Sequence, residues 1–203
     1  MSISLNFELN DADLEHFHTA MIAAKKAAEG KSAAEIIDCA GKLLADAQKV
    51  RIPDFILERL LHLDDMIAMV RDQAWALPPE DCDRVLSALV YFCNPQDVIP
   101  DNIAVLGFLD DAVMIELCVR DLEHELAAYN DFCDFRQNQA ERRGLAADKV
   151  GRADWLDARR EELIERMHQR RERDFGTGYG SSSGYATATS YVRAWRPGMF
   201  SVR

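Results

Sequence analysis

The chain has 203 residues, of which 48% are hydrophobic, and a formal net charge of −11. That apolar fraction can build a core, while the excess of acidic residues argues against DNA, RNA or anionic lipid as a partner of the whole protein. The charge is uneven, because residues 1–135 contain 10 Lys+Arg and 26 Asp+Glu whereas residues 136–203 contain 14 and 9. An acidic body with a basic end predicts two regions with different partners.

The start of the chain and its cysteines predict a cytoplasmic protein. Residues 1–6 contain neither a basic start nor a long apolar run, so no secretory signal is expected. Five cysteines, an odd number without a C-x-x-C pair, are expected to be buried reduced thiols. The most apolar region, residues 103–119, is interrupted by Asp110, Asp111 and Glu116. No membrane-spanning helix is therefore predicted.

Apolar periodicity changes from strand-like to helical near residue 10. Residues 2–9 alternate between apolar and polar, which predicts a short strand. Four helices follow, with predicted starts at Asn10 or Asp11, at Ser32 with Glu35 at capping-box spacing, at Pro53, and after the pair Pro78-Pro79. The fourth is expected over residues 80–93, where Asn94-Pro95 ends it.

One long helix is predicted over residues 109–143, because Gly144 allows it to end there. Residues 155–173 then predict a charged helix, in which Arg and Glu at i,i+4 spacing indicate a solvated, salt-bridged surface. The fold class is therefore all-α, a bundle of five or six helices with strand-like segments at both termini. We expect a helical domain over residues 1–150, a charged helical extension over 151–175 and a flexible Gly/Ser-rich basic tail over 176–203.

The tail is expected to bind a partner. Residues 186–195 alternate weakly and carry aromatic and arginine side chains without an acid, a composition that docks as an extended strand. The predicted contact residues are Tyr191, Arg193, Trp195 and Arg196. The strand-like segments 2–9 and 186–195 are expected to pair with each other or across subunits, because a lone strand is not stable.

Residues 94–111 hold the densest local signal in the chain. Pro95 and Pro100 fix φ near −65° and force the residues before them out of the helical region. Gly107 supplies a bend, and Asp110 and Asp111 place negative charge at the positive end of the next helix. The segment thus predicts a helix stop, two rigid turns and a helix restart, which together form a helical hairpin.

This segment resembles the YkvA-like family, a small bacterial domain of unknown function. The family signature is an apolar helix ending in Tyr, then Pro-x-Asp-x-Ile-Pro-Asp, then Gly-x-x-Asp-Asp. The residues in step with it are Tyr91, Pro95, Asp97, Ile99, Pro100, Asp101, Gly107, Asp110 and Asp111. The resemblance spans about residues 84–117 and implies a central helical hairpin but no established activity. The chain departs at Asn94, Gln96 and Ala104, where the family often has Ser, an apolar residue and Pro.

Two interpretations of the motif aspartates stay open. Asp97, Asp101, Asp110 and Asp111 either cap helices and hold the turn, or converge on Mg²⁺ or Ca²⁺, which prefer carboxylate oxygens. The absence of Lys and Arg between Arg84 and Arg120 favours the cation. A partial echo, Leu63-Asp64-Asp65 after Ile52-Pro53-Asp54, resembles Leu109-Asp110-Asp111 after Ile99-Pro100-Asp101. We attribute it to chance, because these residues are common at helix starts.

Other catalytic and metal patterns have little support in the chain. His16 and His124 each follow an Asp-Leu-Glu triplet, but helical periodicity directs them away from the core face on which bundle metal sites form. The chain contains no nucleophile elbow, P-loop or dinucleotide fingerprint. We therefore predict a non-enzymatic binding or scaffold protein without a cofactor, acting through a protein partner or self-association. The alternatives are a divalent-cation-dependent enzyme or sensor, and a peripheral membrane adaptor using Arg166, Arg170 and Arg171.

Overall fold

The structure, a computed structural model, describes residues 10–93, 108–150, 154–177 and 194–198. Its α-helices are α1 Asp11–Ala27, α2 Ala33–Ala47, α3 Asp54–Arg71, α4 Pro79–Leu89, α5 Leu109–Asp121, α6 Glu123–Arg142 and α7 Asp154–Thr177. Short 3₁₀ turns lie at Val90–Cys93 and Ala147–Lys149. The all-α prediction is confirmed, with seven α-helices in the described residues rather than five or six.

Local capping signals place the first helix starts where the sequence predicts them. The Asn10 side chain accepts hydrogen bonds from the backbone N–H groups at positions 12 and 13, and the Asp13 carboxylate accepts from the Asn10 N–H at 3.0 Å. Ser32 and Glu35 form the same reciprocal arrangement at the start of α2. Pro53 directly precedes α3. The side chains at the starts of α1 and α2 satisfy backbone donors that a helix start leaves open.

The predicted single helix over residues 109–143 is wrong, because the chain breaks at Leu122 into α5 and α6. Leu122 has φ −112° and ψ 21°, outside helical geometry, and its side chain is buried. Leu126 is also buried, so apolar spacing continues through the break without a Pro or Gly to mark it. The fourth predicted helix likewise changes to a 3₁₀ turn after Leu89.

Helix α3 lies at the centre of the bundle and packs against α2, α4, α5 and α6. Its buried apolar side chains are Ile56, Leu60, Leu63, Met66, Ile67, Ala68 and Met69. The loop after α3 adds Trp75, which is fully buried, with its ring centroid 5.8 Å from that of Tyr129 and 5.0 Å from that of Phe132. Side chains of α3 and α6 therefore form much of the core. Burying each large apolar side chain stabilises the fold by roughly 1.5–3 kcal/mol.

Helix α7 packs antiparallel along α6. Trp155 near its start lies against Phe135, with ring centroids 6.2 Å apart, and Asp174 near its end lies beside His124. The predicted salt-bridged surface is present, since Arg159 and Arg166 both pair with Glu162 at 2.7 and 2.9 Å. Three other α7 side chains, Leu156, Leu163 and Met167, are buried. The division of the chain into domain, extension and tail stays a prediction.

The strand-like segments predicted at the termini lie almost wholly outside the described residues. Of residues 2–9 and 186–195, only Ala194 and Trp195 are described, and they belong to no strand. Within the described part of the chain, no helix combines the length and apolar character needed to cross a membrane. The prediction of a cytoplasmic protein stays a prediction.

The five cysteines are free thiols, two of them buried and three partly exposed. Burial raises the pKa of Cys118 to about 12 and the pKa of Cys133 to about 11. Both therefore stay protonated at neutral pH, and a protonated thiol is neither a good nucleophile nor a metal ligand.

Candidate functional site

Residues 194–198, hereafter the tail segment, lie in a groove between α3 and α6, hereafter the tail groove. Arg196 is only 8% exposed. Its Nη1 donates to Asp65 Oδ1 on α3 at 2.6 Å and to Asn130 Oδ1 on α6 at 2.8 Å. Its guanidinium carbon lies 5.9 Å from the centroid of the Tyr129 ring. One arginine thus joins two helices that are distant from it in sequence.

The backbone of Trp195 is held by α6 on both sides of the residue. Its N–H donates to Gln137 Oε1 at 2.9 Å, and its carbonyl accepts from Arg136 Nη2 at 3.3 Å. The Arg136 guanidinium carbon also lies 4.8 Å from the centroid of the Trp195 ring, a cation–π distance. Ala194 before it is buried, whereas the Trp195 side chain stays 38% exposed. The groove therefore recognises main-chain groups as well as side chains.

The tail segment turns at Pro197 and passes directly over α3. The Gly198 N–H donates to the Arg196 carbonyl at 2.8 Å, which closes the turn. A Cβ at Gly198 would overlap the carboxylate of Asp64, a fully buried residue. A residue with a side chain at position 198 would have to displace either the turn or Asp64, so the close approach requires glycine.

A buried ion pair forms the floor of the tail groove. Arg136 Nη1 donates to Asp72 Oδ2 at 2.8 Å, and the Tyr129 hydroxyl donates to the same oxygen at 3.0 Å. Asp72 Oδ1 accepts from the backbone N–H groups of Ala74 and Trp75 at 3.0 and 3.3 Å. This network fixes the guanidinium that holds the Trp195 carbonyl.

The charge states in this floor follow from its geometry. Burial by itself lowers the pKa of Arg136, but the Asp72 carboxylate and the other groups around the guanidinium together raise it overall. Burial, together with neighbouring Cys133 and Asp72, raises the pKa of the Tyr129 hydroxyl. At neutral pH Arg136 is therefore charged and Tyr129 is a hydrogen-bond donor, as the network requires.

Two of the buried acids at the tail groove are each paired with an arginine. Asp64, Asp65 and Asp72 are all buried, and a carboxylate removed from water is stable only with a cation or several donors beside it. Arg136 forms an ion pair with Asp72, and Arg196 forms one with Asp65. A guanidinium is less strongly hydrated than an ammonium and presents several donors in one plane, so it suits this site better than lysine does.

Two of the four predicted partner-binding residues, Trp195 and Arg196, therefore dock on the protein's own bundle. Tyr191 and Arg193 lie outside the described residues. The role of these four residues in binding a partner stays a prediction.

The central motif is only partly described. Tyr91 is buried in the 3₁₀ turn after α4, and Asp110 and Asp111 are 5% and 6% exposed in the first turn of α5. The other motif residues, Pro95, Asp97, Ile99, Pro100, Asp101 and Gly107, lie outside the described residues. Phe108 is the residue at the N-cap of α5, and Asp110 and Asp111 follow it in the first turn, where negative charge is favourable to the helix dipole.

The predicted metal site at Asp97, Asp101, Asp110 and Asp111 stays a prediction. In the described residues, two other groups have the spacing of metal ligands, and both lie where α7 contacts the rest of the bundle. The first group is Glu80, Asp81 and His168, and the second is Glu123, His124 and Asp174.

Two members of the first group, Asp81 and His168, belong to a network, hereafter the α7 clasp, of Asp81, Arg84, Glu125, His168 and Arg171. The fully buried Asp81 has His168 Nε2 at 2.8 Å from Oδ2 and Arg171 Nη1 at 2.7 Å from Oδ1. Glu125 accepts from Arg171 Nη1 and from Arg84 Nε, both at 2.9 Å. Burial by itself lowers the pKa of Arg171, but hydrogen bonds to Asp81 and Glu125 raise it overall. Arg171 therefore stays charged and holds α7 against α4 and α6.

His124 has a partner on α7 that periodicity could not identify. Its Nε2 lies 2.7 Å from Asp174 Oδ2 on α7 and 3.5 Å from Glu123 Oε1. The pair is partly exposed and adds a second charged contact between α6 and α7.

Sequence reasoning missed the acids of the tail groove. Nothing in the local sequence predicted that Asp64 and Asp65 are buried, because two adjacent carboxylates are rarely buried. The one available signal was the echo between Leu63-Asp64-Asp65 and Leu109-Asp110-Asp111. Both acidic pairs are buried, on helices α3 and α5 that pack together.

Residues 84–117 match the model of a family described as a protein of unknown function, DUF1232. The match confirms the resemblance found in this region, and membership of the YkvA-like family is consistent with it. It covers a minority of the chain, and the tail groove is formed by residues on both sides of it. The chain matches no curated protein and no solved structure.

Proposed function

We propose that this protein is a non-enzymatic helical binding or scaffold protein that acts through protein–protein contacts or self-association, with the tail groove as its recognition surface. The observation that carries the proposal is the buried pair between Arg196 and Asp65, through which a short segment of chain binds the bundle.

The contacts of the tail segment are of the kind that bind peptides. One arginine enters a site with a buried acid, Trp195 contributes two main-chain hydrogen bonds, and Gly198 allows close approach. Ala194 is the one hydrophobic residue of the tail segment that is fully buried, while the Trp195 side chain is 38% exposed. A buried ion pair adds little net stability compared with apolar packing, but it discriminates strongly against a segment without the matching charge.

A labelled peptide of residues 186–203 tests the proposal on the full-length protein. In the Arg196→Ala chain the groove has lost its own ligand, so the added peptide is expected to bind there. In the unchanged chain the attached tail competes at an effective concentration on the order of millimolar, so binding of the peptide is expected to be at least about tenfold weaker. Fluorescence anisotropy measures both affinities.

Two matched controls make this test specific. A peptide with Arg196→Ala is expected to lose binding, whereas a peptide with Arg203→Ala has lost the same charge and is expected to keep most of it. Introducing Asp65→Asn into the Arg196→Ala chain removes the acid at the same shape and is expected to abolish binding. Equal affinity for the two peptides, or unchanged affinity after Asp65→Asn, would show that the groove is not the recognition surface.

A second candidate function is a divalent-cation-dependent enzyme or sensor using Asp97, Asp101, Asp110 and Asp111. The burial of Asp110 and Asp111, adjacent carboxylates at the start of one helix, supports it. A hard cation such as Mg²⁺ or Ca²⁺ would neutralise such a pair.

Thermal unfolding in EDTA and then in millimolar Mg²⁺ or Ca²⁺ tests this candidate. A cation at 100 times its Kd stabilises the folded state by about 2.7 kcal/mol, which raises Tm by several degrees in a chain of this size. Asp110→Asn is expected to remove the shift, and Asp83→Asn, at an exposed acid on α4, is expected to keep it. The absence of a shift in the unchanged chain would refute the candidate.

No observation favours the membrane adaptor. Arg166 pairs with Glu162 and Asp131, and Arg171 belongs to the α7 clasp. Two of the three arginines on which that alternative depends are thus engaged by acids of the same chain.

A further inference from the structure

We infer that the tail groove also receives the tail segment of a second copy of the chain, so that two copies exchange tails reciprocally. This inference rests on the proposed function, since it requires the groove to bind the segment without its own tether. The Arg196 that pairs with Asp65 would then come from the second copy.

The length of the connection permits exchange. Helix α7 ends near the start of α6, whereas the tail segment begins beside Gln137, further along α6. The distance along α6 from His124 to Gln137 is about 20 Å at 1.5 Å per residue. Residues 178–193, which connect α7 to the tail segment, can span up to about 55 Å. The connection is more than twice as long as its own groove requires, so it can also reach a groove on a neighbouring copy.

Charge complementarity acts between copies as well as within one. Residues 1–135 hold 26 Asp+Glu against 10 Lys+Arg, while residues 186–203 carry Arg193, Arg196 and Arg203 without an acid. The acidic body of any copy therefore attracts the basic tail of any other, and such steering raises the rate of encounter. The two buried acids at the groove, Asp64 and Asp65, lie where that tail binds.

Reciprocal exchange needs no new surface. Each copy has one groove and one tail segment, so two exchanged tails reproduce every contact of the self-docked form and close a two-fold symmetric dimer. The balance between the two forms depends on protein concentration, because self-docking benefits from an effective concentration on the order of millimolar. Variants that block self-docking in each copy therefore expose exchange most clearly.

Two full-length variants each prevent self-docking, and mixing them tests whether the tail of one binds the groove of the other. The Asp65→Asn chain has an intact tail and a damaged groove, and the Arg196→Ala chain has an intact groove and a damaged tail. Neither docks its own tail, but the tail of the first fits the groove of the second. In sedimentation velocity, each variant alone is expected to stay at the mass of one chain, 23.0 kDa. The equimolar mixture is expected to show a species of twice that mass at high micromolar concentration, in which the one intact tail occupies the one intact groove and so reports one of the two exchanged contacts.

The control and the alternative outcomes separate this inference from the proposed function. Mixing the Arg196→Ala chain with a chain carrying both substitutions is expected to leave only single chains, because no intact tail is present. Dimers in that control, or in either variant alone, would assign association to another surface and overturn the inference.

If the mixture stays monomeric while the labelled peptide binds the Arg196→Ala chain, exchange is refuted and the proposed function stands. If the peptide also fails to bind, both are refuted. Circular dichroism melts of each variant establish that it is folded.

Discussion

Replacing Arg136 with alanine is expected to lower the free energy of unfolding by about 3–5 kcal/mol. The substitution leaves the Asp72 carboxylate buried with, among the described residues, the Tyr129 hydroxyl and two backbone N–H groups as partners. Removing one member of a buried ion pair is costly because the other keeps its charge in a medium that solvates it poorly. Urea unfolding followed by circular dichroism at 222 nm measures the change.

Arg142→Ala is the matched control, because it removes the same side chain from an exposed position of the same helix. Its effect is expected to stay within about 0.5 kcal/mol. A loss below about 1 kcal/mol for Arg136→Ala would mean that Asp72 finds water or another partner, and that the pair does not organise the groove floor. Because Arg136 also donates to the Trp195 carbonyl, adding Arg136→Ala to the Arg196→Ala chain is expected to weaken its binding of the labelled tail peptide.

Replacing Arg171 with alanine is expected to destabilise the fold by about 2–3 kcal/mol and to loosen the second half of α7. Arg171 Nη1 lies between Asp81 and Glu125, two carboxylates with almost no exposure. The loss is smaller than for Arg136, because His168 stays beside Asp81 and Arg84 stays beside Glu125. Hydrogen exchange by mass spectrometry should show faster exchange in α7 peptides that follow Leu163, while peptides from α3 change little.

The neighbouring Arg170 gives the control for this prediction. It is exposed, so Arg170→Ala removes an equal charge from the same helix without touching the clasp. Its stability and exchange are expected to match those of the unchanged protein. Similar losses for the two substitutions would assign the effect of Arg171 to net charge, and would show that α7 is held by its apolar side chains alone.

These two networks bear on function in different ways. The α7 clasp holds the helix from which residues 178–193 lead to the tail segment, and the Asp72–Arg136 pair fixes the groove that receives it. Weakening the clasp is expected to change stability more than tail binding. Weakening the floor of the groove is expected to change both, which separates a structural ion pair from one that also serves recognition.

Some of the candidate site could be predicted from sequence. The composition of residues 186–203 identified Trp195 and Arg196 as contact residues, and the central motif identified Asp110 and Asp111 as unusual. The acceptor could not be predicted in the same way, because Asp65 lies 131 residues before Arg196 and no local pattern links them. The tail segment also contacts Asp64 and Asp65, which periodicity within one helix does not reveal.

The sequence by itself determined the features that depend on neighbouring residues. The helical class and the starts at Asn10, Ser32 and Pro53 follow from apolar spacing and from side chains that reach backbone groups two or three positions away. Tertiary structure alone decided the break at Leu122, the packing of α7 along α6 and the pairing of Arg196 with Asp65. Each of these three features is stabilised by groups that come into contact only after the helices pack. The Arg196–Asp65 ion pair is stronger because it is buried, and Leu122 is held in place by the core around it. Neither effect can be predicted from a short stretch of sequence.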